Sequence, residues 1–162
     1  GRMIKLMREA KALQRVTITF EPPPSLPLIA ADTGQLEQLI MNLLMNAAQA
    51  CREGQAIRIE LDAGADRVRL RIIDSGMGMD ELIAARAFEP FFTTKAKGTG
   101  LGLSICKKIV DAHGGTITLR SKPDAGTQVT VELPVFVPAE PSLSAAAGGT
   151  RAGGGPTCGE GA

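Results

Sequence analysis

The segment from Asp32 to Ala50, DTGQLEQLIMNLLMNAAQA, constrains the fold more than any other. Leu36, Leu39, Ile40, Leu43, Leu44 and Ala47 recur at intervals of three and four, which makes one face of a helix apolar. Asp32 can cap the N-terminus with Gln35 three positions on, and Gly54 marks the region where the helix ends. The proline-stiffened EPPPSLPLI precedes it. A helix with one such stripe draws most of its stability from a second layer that covers the stripe.

The neighbouring segments supply that layer. Val16, Ile18 and Phe20 alternate in VTITF, as do Ile57, Ile59 and Leu61, and then Val68, Leu70 and Ile72, the last two runs being joined by the turn-like AGADR. MDELIAARAF reads as a short helix. Leu101, Ile105, Cys106, Ile109 and Val110 mark another, which stops at His113-Gly114-Gly115. Two last strands, in GGTITLRS and TQVTVELP, flank the turn PDAG. The expected class is α+β: a two-layer α/β sandwich with a mixed, mostly antiparallel sheet of about five strands on about three helices.

At 162 residues with 44% hydrophobic side chains, the chain can bury one real core. Its 18 basic and 17 acidic residues nearly cancel, which gives no electrostatic case for nucleic acid or direct membrane contact. Cys51, Cys106 and Cys158 are widely spaced and form no metal-ligand pattern, so reduced thiols and a cytoplasmic location are expected. No apolar run approaches the ~20 residues that span a bilayer. The opening Gly-Arg-Met suggests a fragment with a leading part removed, through which a full-length protein could be membrane-anchored. Residues 1–12 read as the end of a preceding helical linker, 13–134 as the folded domain, and the Gly/Ala/Pro-rich 135–162 as a disordered tail.

Three stretches could carry chemistry. On the long helix Gln38, Asn42, Asn46 and Gln49 form a polar stripe beside the apolar one. It fits either a solvated face or a site in which an Asn carbonyl, a hard neutral ligand, coordinates Mg²⁺. In DSGMGM, Asp74 ends an apolar strand ahead of Gly76 and Gly78. It either opens a turn or accepts a hydrogen bond from an exocyclic amine, in which case it prefers adenine to guanine. In FFTTKAKGTGLGLSI, Lys95 and Lys97 precede Gly98, Gly100 and Gly102 at the start of a helix, with Thr93, Thr94 and Thr99 as hydroxyl donors. These are either ordinary loop residues or a loop that closes over phosphates. His113, the single histidine, sits in a helix's last turn, where a cap or dipole interaction accounts for it.

Taken in order, QLEQLIMNLLMNAAQA, DSGMGM, FEPFFTTK and GTGLGLSI, followed by HGGTI and AGTQVTVELP, resemble the catalytic ATP-binding domain of sensor histidine kinases over roughly residues 13 to 134. The resemblance implies the Bergerat ATP-binding sandwich, with ATP and Mg²⁺ as cofactors. It implies that Asn46 is the Mg²⁺ ligand, with Asn42 beside it and Ala50 at the helix end. Asp74 would bind adenine, Gly76, Gly78 and Met79 would shape its pocket, and Thr127 would lie near it. Phe91 and Phe92 would anchor a lid containing Thr93, Thr94, Lys95 and Lys97. Gly98, Thr99, Gly100, Leu101, Gly102 and Leu103 would form the phosphate-holding helix start. Asn46 and Lys95 would stand closest to the chemistry. The family's partners would be a histidine-bearing dimerisation domain and a response regulator.

Two features depart from the family pattern. Gln49 stands where many members carry a basic residue, which shifts charge compensation to the lid lysines. The phosphoacceptor histidine domain is absent from this chain, so ATP binding without self-phosphorylation, and a monomer, are expected. An anti-sigma-type serine kinase fits FEPFFTTK and GTGLGLSI less well. A gyrase-like hydrolase would need a glutamate just before Asn46, whereas position 42 is Asn and Glu37 lies more than two turns away. A non-catalytic ATP-sensing module stays open.

Overall fold

The computed structural model describes residues 13–95 and 98–136. The linker expected at 1–12, Lys97 and the tail from 137 onward lie outside the described residues. A 3-10 turn at Leu13–Arg15 leads into strand β1 (Thr17–Phe20). Helix α1 follows at Thr33–Ala50, with Asp32 Oδ1 accepting from the Gln35 amide at 2.8 Å as the capping pattern predicts. The helix stops at Ala50, before Gly54: Cys51 turns to extended backbone, and the Ala50 carbonyl accepts from the Met77 amide at 3.1 Å. Strands β2 (Ala56–Ala63) and β3 (Arg67–Asp74), short helix α2 (Glu81–Arg86), helix α3 (Gly102–Ala112) and strands β4 (Thr116–Ser121) and β5 (Thr127–Pro134) complete the order.

The sheet runs β1-β2-β3-β5-β4. The β1–β2 pair is parallel and the other three pairs are antiparallel. Local pattern gives the strands, but a parallel pair joined across a whole helix is set by packing, since a crossover is needed to bring β1 alongside β2. Alternation sends Ile57, Ile72, Val129 and Val131 toward α1 and α3, where they meet Leu39, Leu43, Leu44, Cys106 and Val110 in one core. Phe20 departs from the expected half-buried strand: it is 46% exposed, because β1 is an edge strand and its last residue runs past the cover of the helices.

The opposite face of the sheet is a charged ladder. Arg71 pairs with Asp62 at 2.7 Å and Arg69 with Glu132 at 2.7 Å. Shallow depressions on that face, lined by Arg71, Thr118 and Glu132 among others, lie across the sheet from Asp74. His113 joins the two long helices. Its Nε2 accepts from the Asp32 amide at 3.1 Å, so Nδ1 carries the proton and donates to the Ile109 carbonyl at 2.7 Å. Val135 and Phe136 donate to the carbonyls of Asp66 and Leu28.

Candidate functional site

Asp74 ends β3 on the helix-facing side of the sheet, opposite Thr127, and is 6% exposed. Its Oδ1 accepts from the amides of Gly76 at 2.9 Å and Thr127 at 3.2 Å. Both bonds fall on one oxygen, which fixes the carboxylate, and among the described residues no hydrogen bond to Oδ2 is made. Burial raises the Asp74 carboxyl above its ordinary range, and the two amides and the Lys95 charge offset part of that rise. Gly76 is required by close approach: a Cβ there would stand 2.5 Å from the Ala50 carbonyl oxygen. Gly78 has φ +64°, and a Cβ on it would run into the Lys122 carbonyl of the β4–β5 turn. That turn is tied back by Asp124 N–H to the Met77 carbonyl at 2.8 Å and by Met79 N–H to Ser121 Oγ at 2.8 Å.

The polar stripe of α1 meets the loop before α3. Lys95 Nζ donates to Asn46 Oδ1 at 3.3 Å and to Gln49 Oε1 at 2.8 Å. Although Lys95 is exposed as a residue, desolvation lowers its ammonium, while the Asp74 charge acts the other way. Gly102, at the first turn of α3, lies against Asn46, with a Cβ there 3.2 Å from Nδ2. The Asn42 side chain is turned inward against the Cys106 thiol. Leu101 stands at the N-cap of α3 and makes no side-chain cap bond to the first amides of that helix.

The predicted residues thus form two clusters. Asp74, Gly76, Gly78, Met79 and Thr127 gather where β3 meets the β4–β5 turn, with Ala50 beside them. Asn42, Asn46, Lys95 and Gly102 gather between α1 and α3. Thr93 Oγ1 accepts from the Lys95 amide at 3.1 Å and Thr99 Oγ1 from the Leu101 amide at 3.4 Å, so both hydroxyls shape the loop. Gly98 sits against Thr93, and Gly100, at φ +68°, against Phe91. Thr94 is exposed, and Leu103 packs its side chain on the core.

The aromatic anchor expected at Phe91 is not formed by its ring. Phe91 is 75% exposed at φ 64°, and it is its amide that holds the loop, donating to the Gly100 carbonyl at 3.0 Å. Phe92 is half-buried, with the Arg86 guanidinium 4.2 Å from its ring centroid. Sequence reasoning missed two contributors. Ser121 Oγ bridges Met79 N–H, the Gly126 carbonyl at 3.0 Å and Thr127 Oγ1 at 2.9 Å, and its place at the end of β4 before a turn was the available signal. Gln49 was noted as part of the polar stripe and as a missing charge, but not as the acceptor that holds Lys95.

Comparison with known proteins identifies the family and the fold. Residues 31–136 match the family described as histidine kinase-, DNA gyrase B-, and HSP90-like ATPase. The chain is 40% identical over 133 residues to the sensor histidine kinase ZraS of Klebsiella oxytoca, covering 82% of this chain and 29% of that protein. It is 39% identical over 131 residues to the signal transduction histidine-protein kinase AtoS of Escherichia coli, covering 80% of this chain and 22% of that one. It therefore spans under a third of these relatives' length. Among solved structures, the nucleotide-free catalytic domain of histidine kinase ThkA superposes with a TM-score of 0.72 at 34% identity, over 83% of this chain and 90% of that one. Full-length ShkA in complex with AMPPNP gives 0.71 at 28% identity, over 84% and 29%. The chain belongs to the histidine kinase-, DNA gyrase B- and HSP90-like ATPase family, as a catalytic domain of the histidine kinase type.

Proposed function

We propose that this domain binds Mg·ATP and presents its γ-phosphate to a histidine on a helical dimerisation domain, the first step of a relay to a response regulator. The observation that carries the reading is the pairing of the two clusters: a buried carboxylate fixed through one oxygen at one end, and a carboxamide–ammonium group beside an uncapped helix start at the other. The AMPPNP bound in full-length ShkA supports a nucleotide of this kind.

Asp74 Oδ2 would accept from the 6-amino group of adenine, and guanine would set a carbonyl against it. The donor chemistry also fits Mg²⁺: Asn46 Oδ1 is a hard neutral oxygen that accepts from a cation already. When bound, the metal would withdraw charge from the phosphate oxygens. Lys95 would neutralise the phosphate end, and the free amides at Gly102 and Leu103 would orient it. These residues position and stabilise, with no covalent intermediate on this chain.

The test is to mix the domain with a separately made histidine-bearing dimerisation domain and γ-labelled ATP. Acid-labile label on that histidine is expected. ATP binding with no transfer to any histidine would replace the kinase reading with an ATP-sensing module.

A further inference from the structure

We propose that Gln49 is a positioning residue that docks the Lys95 ammonium over the phosphate end of the site, so that the charge α1 lacks is supplied from the loop. This deepens the nucleotide reading above and rests on it. Lys95 Nζ lies closer to Gln49 Oε1, at 2.8 Å, than to Asn46 Oδ1, at 3.3 Å. Asn46 and Gln49 are one turn apart near the end of α1 and so share a face. Among the described residues, the Lys95 backbone is held within its own loop: its amide reaches Thr93 Oγ1 and its carbonyl accepts from the Gly98 amide.

A lysine is a compact charge on a flexible four-carbon stem, and on a loop its ammonium would sample many positions. Two carboxamide oxygens on a helix reduce that spread. They use two of the three ammonium donors and leave the third for an incoming oxygen. The residue type matters. A carboxylate at 49 would bind Lys95 but cancel its charge, and a basic side chain would repel it, whereas glutamine orients the ammonium and leaves its charge available. The longer Asn46 bond is the one a divalent cation on Oδ1 would compete for, and Gln49 then keeps Lys95 in place.

Affinities for ATP by calorimetry, and for adenosine by amide chemical-shift titration, test this in the wild-type domain, Gln49→Ala, Gln49→Glu, Lys95→Met and Gln49→Ala/Lys95→Met. Because Gln49 is exposed, folding should survive, and the thermal midpoint checks it. Gln49→Ala should weaken ATP by roughly fivefold to tenfold, the size expected for one net hydrogen bond in a partly solvated site, and leave adenosine within about twofold. Gln49→Glu should weaken ATP further. The double variant should bind ATP no more weakly than Lys95→Met alone, because Gln49 acts through that lysine. Unchanged ATP affinity in Gln49→Ala, a matching loss for adenosine, or additive losses in the double variant would overturn the inference and leave the nucleotide reading standing. A folded wild-type domain that binds neither ligand would overturn both.

Discussion

Replacing Gly78 by alanine should unfold the domain far more readily than the same change at Gly54, although both glycines have left-handed backbone, at φ +64° and φ +83°. The two sites share the dihedral cost and differ in space. At Gly54 a Cβ meets nothing within 4 Å. At Gly78 it would overlap the Lys122 carbonyl oxygen, stand 2.7 Å from its carbon and 3.1 Å from the Gly126 carbonyl oxygen. These are backbone atoms of a turn bonded on both sides, so no side chain can swing away. An L-residue in this conformation costs about 1–2 kcal/mol, partly offset by about 0.4–1 kcal/mol because alanine stiffens the unfolded chain. Gly54→Ala should therefore lose about 1 kcal/mol or less. Gly78→Ala adds an overpacking cost of about 1–3 kcal/mol, for a total of about 1–4 kcal/mol. Urea unfolding followed by circular dichroism, fitted with a common m value, measures both. At this chain length the midpoint temperature should fall by roughly 3–15 °C for Gly78→Ala and by a few degrees at most for Gly54→Ala. Because moving the turn also moves the Thr127 amide off Asp74, the Gly78 variant should lose ATP affinity as well. Equal losses at the two positions would refute the close approach on which the Asp74 end of the site depends.

Three further outcomes follow from the geometry. Asp74→Asn should be relatively more stable than wild type as pH rises from about 4 to about 7: burial raises the Asp74 pKa, so its favourable contribution is present below the unfolded pKa and is lost as pH rises through the folded one. Paired urea titrations across that range check the sign, and a difference that shrinks with rising pH would contradict it. Asn46→Ala should bind ATP with nearly the same affinity with and without Mg²⁺, whereas wild type should bind more tightly with it, as calorimetry in EDTA and in Mg²⁺ would read. Cys106, fully buried and with its thiol pushed up to about 12, should resist alkylation at neutral pH until the domain unfolds, while the partly exposed Cys51 reacts in the folded state. Mass mapping of the modified peptides distinguishes them.

What could be read from sequence was local. The α1 stripe and its Asp32 cap depend on spacing and one side-chain bond within a turn, and both appear as expected. The place of Asp74 at the end of an apolar strand was legible, whereas spacing alone did not separate a turn opener from a ligand acceptor. Contacts made across the fold were not legible. Lys95 and Gln49 are 46 positions apart, and nothing in either neighbourhood requires them to meet. The outward ring of Phe91 follows from a left-handed backbone conformation imposed by its bond to Gly100, which a phenylalanine-rich motif does not reveal. The parallel β1–β2 pair likewise depends on how α1 crosses the sheet.

The most direct test of the central claim is calorimetric titration of the domain with ATP and GTP, for wild type and Asp74→Asn. In the variant an amide donor would face the adenine amino group, so a bond to a charged acceptor is lost and a donor is left unpaired, together about 3–4 kcal/mol. The account predicts ATP binding to wild type, weak or no GTP binding, and an ATP affinity several hundredfold lower in Asp74→Asn with the fold intact. Equal binding of ATP and GTP, or an Asp74→Asn variant that binds ATP as wild type does, would contradict the account.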